Sequence, residues 1–208
     1  MADRLSTGIT VLDRQLDGGI PPGSLVLLLA EPASQSELFL YELATTRRTL
    51  YLTTVRTEQA IRDAVDRYRG GISQLTVRDV DSAAPLDTAN RLVKDLPEDS
   101  NLVVDVLDPL EATDTSRYRT FLNELQNHMV NTGGVAMLHA MKDGSSTATR
   151  NMSAHMADVV FDLQTDVRSN EIVNRLAVPK FRGGKALEET IKLKLTEDIT
   201  IDTSRDIA

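Results

Sequence analysis

At 208 residues, 41% hydrophobic and 26% charged, the chain is long enough for one substantial core and reads as a single soluble domain over residues 1–208. Zero cysteines exclude a disulfide framework and a zinc–thiolate site, and no apolar run approaches the ~20 residues that a membrane helix needs. The net charge of −8 supports solubility and gives no positive argument for nucleic acid.

The chain opens on turn-rich sequence, Ser6-Thr7-Gly8, Leu12-Asp13 and Gly18-Gly19-Ile20-Pro21-Pro22-Gly23-Ser24, and then runs apolar from Leu25 to Leu29, a first strand. A helix is expected from about Ser36 to Arg48, then a second strand Leu50–Thr54. Ala60, Ile61, Ala64, Val65 and Tyr68 fall at helical spacing within Glu58–Arg69, and Gly70-Gly71 stops that helix. A strand near Leu75–Val77, a helix Leu86–Leu96 ended by Pro97, and a strand Asn101–Asp105 follow. Ser116 is read as the cap of a long helix to about Val130, with Phe121, Leu122, Leu125 and Met129 on one face. Asn131-Thr132-Gly133-Gly134 stops it before a strand Val135–Leu138. Beyond the polar stretch Asp143–Thr149, strands are expected near Val159–Leu163, Ile172–Lys180, Thr190–Leu195 and Ile199–Ile201. Strand–helix alternation argues for an α/β fold, a mainly parallel sheet flanked by helices. No N-terminal signal pattern is visible, so a cytoplasmic location is expected. His128, His139 and His155 lack metal-ligand spacing and read as structural or surface groups; no metal site is expected.

Between the first strand and the first long helix lies Ala30-Glu31-Pro32-Ala33-Ser34-Gln35-Ser36-Glu37. Ser34 with Glu37 three residues on, ahead of Leu38-Phe39-Leu40, has the form of a capping box.

The glycine–proline turn, the first strand and the loop after it closely resemble the opening of RecA-superfamily ATPases of the KaiC and RadA type. That resemblance extends from Leu5 to about Asp202 and implies a RecA-like P-loop NTPase fold with a closing antiparallel β-meander, opened here by Met156-Ala157-Asp158-Val159-Val160. In the family the loop reads G-x-x-x-x-G-K-[ST]. Glycines let backbone N–H groups approach the phosphates, the lysine reaches the β and γ oxygens, and the hydroxyl holds magnesium.

Here the loop keeps its length and loses that chemistry. Ala30 and Gln35 stand where the glycines would be, Ser36 for the lysine and Glu37 for the magnesium-binding hydroxyl; Glu31 adds a second carboxylate. A unit-charge contact near 4 Å is worth roughly 1 kcal/mol in water and about 4 near a protein surface. Exchanging one attraction for one repulsion therefore weakens triphosphate binding by a factor of about a thousand. After the second strand, Val55 and Arg56 replace the acidic pair that activates water in KaiC-like proteins; Glu58 substitutes only in a shifted register. Asp105 matches the Walker B aspartate, which in active relatives acts on magnesium, and it also reads simply as a strand end bonding backbone donors.

Val178-Pro179-Lys180-Phe181-Arg182-Gly183 resembles the family's K-x-R-G segment, whose Lys and Arg reach the γ-phosphate of a neighbouring subunit. Strand alternation puts Lys180 and Arg182 on one face, as a finger offered to another protein's site or as ordinary surface charge. Recombinases of the superfamily carry a DNA-binding loop after the fourth core strand. This one offers only Lys142 and Arg150, and neither the N-terminal DNA-binding module nor the Phe-x-x-Ala linker of RadA-type recombinases is visible. The composition, with 20 Asp to 11 Glu and 17 Arg to 6 Lys, resembles that of proteins from salt-in halophilic archaea.

The resemblance thus implies a catalytically degenerate regulatory or assembly subunit. Its expected partner is a protein, either an active KaiC/RadA-like ATPase or a second copy in a homo-oligomer; membrane and nucleic acid are not expected. No cofactor is expected on this reading. The alternative is an ATP-binding protein or slow ATPase with an atypical loop, using Asp105 for magnesium. A DNA-binding recombinase paralogue is the third reading.

Overall fold

The computed structural model describes residues 4–68, 70–142, 147–185 and 187–202. Its elements, in chain order, are α1 (Thr10–Gln15), β1 (Leu25–Ala30), α2 (Glu37–Thr46), β2 (Thr49–Thr53), α3 (Glu58–Arg67), β3 (Leu75–Asp79), α4 (Pro85–Lys94) and β4 (Asn101–Asp105). Then come α5 (Asp108–Glu111), α6 (Thr115–Thr132), β5 (Ala136–Met141), α7 (Ala148–Met156), β6 (Val159–Val167), β7 (Ile172–Phe181), β8 (Ile191–Leu195) and β9 (Ile199–Ile201).

One nine-stranded sheet has the order β3-β2-β4-β5-β1-β6-β7-β8-β9. Pairing is parallel from β3 through β6 and antiparallel from β6 through β9. The expected α/β architecture with its closing meander is therefore the observed one. β1, β2 and β4 carry continuous apolar runs because helices cover both faces of a parallel sheet. One core, including Val26, Leu28, Phe39, Tyr51, Val103 and Met137, joins α2, α3 and the meander. The other, including Leu25, Leu27, Val104, Phe121, Leu122 and Leu138, joins α4, α5, α6 and α7.

The N-terminal segment locks onto α2. Gly8 has φ +85°, and a Cβ there would meet the Glu42 carbonyl oxygen at 2.2 Å, so only glycine allows this approach.

Three helices were not legible as periodic patterns. α1 and α5 span six and four residues, too short to show a period. α7 is held by polar contacts: its buried residues are Thr149 and Ser153, and the Thr147 hydroxyl caps it by accepting from the Arg150 N–H. The long helix α6 begins one residue before the expected cap. Asp114, not Ser116, caps it, its carboxylate accepting from the Ser116 and Arg117 N–H groups at 3.0 Å each. Gly133, φ +76°, ends it as expected.

The capping box at Ser34 and Glu37 does not form. α2 starts at Glu37 behind Ser36, and no side chain caps it. The Ser34 hydroxyl instead donates to the Glu31 carbonyl at 2.7 Å, closing the turn with the Ser34 N–H on the same oxygen at 3.0 Å.

Candidate functional site

Ligands of open parallel sheets bind at the carboxyl ends of the strands. At that edge β1, β2, β4 and β5 end side by side, and register decides which side chains meet. Asp105, the last residue of β4, is paired with His139 of β5 and Thr53 of β2. Paired residues on parallel strands share a face, as do residues two apart, so Asp105, His139 and Tyr51 all look toward α2.

Ser36, at the start of α2, completes a chain. Its Oγ lies 3.0 Å from His139 Nε2, His139 Nδ1 lies 2.8 Å from Asp105 Oδ1, and the Tyr51 hydroxyl donates to Asp105 Oδ2 at 2.6 Å. All four residues are buried. Burial acts to raise the Asp105 carboxyl. The hydrogen bond and charge of His139, the Tyr51 hydroxyl and the Arg56 charge outweigh it and hold the group below its ordinary 3.8. Burial, with the Asp105 charge, pushes the Tyr51 phenol well up, so it remains a donor. In either protonation state the geometry is the same: His139 Nδ1 faces the Asp105 carboxylate and Nε2 faces the Ser36 hydroxyl.

The order Ser–His–Asp is that of a hydrolase relay. Ser36 is 3% exposed, however, and lines neither cavity flanking α2 among the described residues, which leaves its oxygen no described path to a substrate carbonyl. The chain is a polar lock between α2, β2, β4 and β5. It occupies Ser36 and Asp105, the two residues expected from the sequence resemblance to match a phosphate lysine and a magnesium aspartate.

The other expected site residues surround it. Ala30 is buried at the end of β1, and its carbonyl accepts from the Lys142 N–H at 2.8 Å. Glu31 and Ala33 are exposed in the turn. Ala33, Ser34 and Gln35 form one wall of a cavity of about 390 Å³, with Thr165, Asn174 and Leu193 of the meander opposite. Glu37 faces the other side of α2. A magnesium triphosphate does not suit these donors: position 36 holds a serine, Glu37 adds negative charge, both Asp105 oxygens already accept hydrogen bonds, and the lysine that lines the loop's cavity, Lys194, comes from β8 on the opposite wall. Among the described residues no acidic or histidine cluster is arranged for a metal ion.

Val55 is 71% exposed and Arg56 is exposed beside it, at the positions expected from the sequence resemblance to match the acidic pair of KaiC-like proteins. Glu58 is not a displaced base. It accepts from the Asp79 N–H at 3.1 Å and pairs with Arg62 at 3.3 Å.

Lys180 and Arg182 share a face, as their spacing requires, and spend it on their own chain. Lys180 Nζ donates to the Ala154 and His155 carbonyls at 2.8 and 2.7 Å; Arg182 donates to His155 at 2.9 Å and Met156 at 3.3 Å. These are the last carbonyls of α7, where cations are stabilising. Burial, with Arg182 nearby, lowers the Lys180 pKa from its ordinary 10.5.

The two basic residues of the expected DNA loop are occupied as well. Lys142 pairs with Asp162 and donates to the Leu163 carbonyl at 2.9 Å. Arg150 pairs with Glu111 at 2.8 Å and Asp108 at 2.9 Å and donates to the Met141 carbonyl at 2.6 Å. Asp143–Ser146 of that loop lie outside the described residues.

His139 was the residue that sequence reasoning missed. Its partner positions exist only once β4 and β5 are in register, and a lone histidine in an apolar strand carries no local sign of them.

Residues 4–208 match the model of DUF7125, a family of unknown function. The chain belongs to that family. It is also 29% identical over 177 residues to the DNA repair protein RadA of two Mycobacterium tuberculosis strains. That alignment covers 77% of this chain and 36% of RadA, so the chain spans about a third of those relatives. The KaiC-like protein PH0186 of Pyrococcus horikoshii OT3 superposes with a TM-score of 0.79 over 97% of this chain and 100% of its own, at 16% identity. The fold is thus RecA-like, of the KaiC type.

Proposed function

We propose that this DUF7125 chain is a RecA-fold protein that has given up nucleotide hydrolysis and works as a regulatory or assembly subunit through protein contacts. The observation that carries the reading is the buried Ser36–His139–Asp105 chain, which fills the place of the phosphate lysine and the magnesium site with hydrogen bonds inside the protein. Val55 and Arg56 support it, because valine has no lone pair and arginine stays protonated, so neither acts as a general base. The partner is an active ATPase of the same fold or a second copy of this chain, in a cytoplasm of high salt. A Lys180–Arg182 finger would first have to leave the α7 carbonyls. A DNA role, suggested by the RadA relatives' name, has against it the ion pairs that hold Lys142 and Arg150.

The test is calorimetry with MgATP in molar KCl on the native chain and on a restored loop (Ala30→Gly, Gln35→Gly, Ser36→Lys, Glu37→Thr). No heat from the native chain, with binding gained by the restored loop, supports the reading. Micromolar binding by the native chain overturns it and favours the slow ATPase.

A further inference from the structure

A second cavity, of about 720 Å³, lies across α2 from the loop, between α2, α3 and the turn joining β8 to β9. Its volume is that of ordinary small-molecule sites, ~300–1,000 Å³. Ser36 is not among its walls.

Two arginines face it. Arg56 donates to the Ala60 carbonyl at 3.3 Å, and among the described residues neither Arg56 nor Arg67 pairs with a carboxylate. The chain has 31 acidic residues to 23 basic ones, so carboxylate partners are in surplus. Guanidinium groups left facing a cavity in such a chain are suited to a planar or tetrahedral anion, which they hold through paired N–H donors.

Aromatic walls flank them. Tyr41 and Tyr68 stand with ring centroids 5.4 Å apart, and the Tyr68 hydroxyl is fixed by donating to Glu42 at 2.6 Å. Tyr41 is 3% exposed, and its hydroxyl lies beside the Arg56 guanidinium with no acceptor for its own proton among the described residues. A buried hydroxyl proton without an acceptor is costly and invites one. The neighbouring acids set the upper limit on charge: Glu37, Glu197 and Asp198 also line the cavity and repel a polyanion.

We propose that this cavity binds a small ligand made of a flat ring and one phosphate, of nucleoside monophosphate size. The phosphate sits between Arg56 and Arg67, the ring lies against Tyr41 and Tyr68, and the Tyr41 hydroxyl donates to the ligand. The cavity and the polar lock meet at Arg56, whose charge also acts on Asp105, so the test reads Arg67 and Tyr41, which belong to the cavity alone and keep its outcome distinct from ATP binding at the loop after β1.

The experiment is titration of AMP and GMP into the full chain, at the lowest KCl concentration that keeps it folded. It is followed by calorimetry and by tyrosine emission, which no tryptophan masks. Adenosine and inorganic phosphate are the half-ligand controls. Arg67 is exposed, so Arg67→Ala leaves the fold intact; Tyr41→Phe removes only the hydroxyl. Saturable binding of a monophosphate, about tenfold weaker in Arg67→Ala, weaker in Tyr41→Phe and unchanged in Ser34→Ala, bears the proposal out. Absence of saturation into the millimolar range overturns it. So does binding that Arg67→Ala leaves undiminished, or tighter binding of ATP than of AMP.

Discussion

Ser36 decides what the loop after β1 can do, because one hydroxyl is pulled two ways. Ser36 stands at the N-cap position of α2, where a serine hydroxyl ordinarily caps the helix, whereas the tertiary structure offers the His139 imidazole. The second wins, since a buried imidazole nitrogen without a partner costs about 1–3 kcal/mol, whereas the Leu38 and Phe39 N–H groups at the start of α2 already donate to the Gln35 and Ser36 carbonyls at 3.3 and 3.1 Å. Ser36→Ala should therefore destabilise the chain by about 1–3 kcal/mol in urea unfolding, by leaving His139 Nε2 unpaired. A neutral or stabilising result would show that the chain of bonds is not structural. Asp105 gives the pH signature. Its folded pKa is depressed below 3.8, so its stabilisation is complete above that value and is lost as pH falls through the folded pKa. Asp105→Asn should flatten that acid limb of the stability–pH curve. The mutant should fall furthest behind the native chain near neutral pH, and a parallel curve displaced by a constant would contradict the assignment.

At the scale of elements, α7 shows how little of a helix apolar periodicity can reveal. Arg150 ties its start to Asp108, Glu111 and the Met141 carbonyl; Lys180 and Arg182 tie its end. All these partners are distant in sequence, so the segment reads locally as polar loop. The spacing of Lys180 and Arg182 did predict a shared face, but their acceptors lie about 25 residues upstream and left no trace in that motif. β4 was legible to the residue, because its apolar run stops at Asp105 and nothing tertiary moves that boundary. Lys180→Ala with Arg182→Ala should cost about 1–2 kcal/mol, as two cations at a helix C-terminus typically contribute. Hydrogen exchange should speed up in Ser153–Ala157 and stay unchanged in α2. If exchange in α7 is unaffected while a partner ATPase slows, the two residues act in trans and the in-chain bonds are incidental.

For the whole molecule, the sheet was legible in the sequence because strands buried on both faces must be apolar, and the order of strands and helices then leaves few topologies. Surface charge is the property that fold leaves free, and here it predicts a response to salt. With 31 acidic and 23 basic residues, the compact state repels itself more than the unfolded chain does. The paired charges pull the other way: Arg117–Asp87 and Arg168–Asp166 are exposed and lose their small attraction to screening, while Arg150–Glu111 is buried and keeps it. Net repulsion acts over longer distances than any single exposed pair, so screening should stabilise the fold on balance. At 1 M salt the Debye length is about 3 Å, so screening alone is nearly complete there. The melting temperature should therefore rise as KCl goes from low to about 1 M. A further rise beyond that point marks hydration of the acidic surface, the behaviour expected of a high-salt cytoplasm. A plateau would leave charge repulsion as the whole effect. A melting temperature that falls with KCl would show that ion pairs outweigh net charge in this fold.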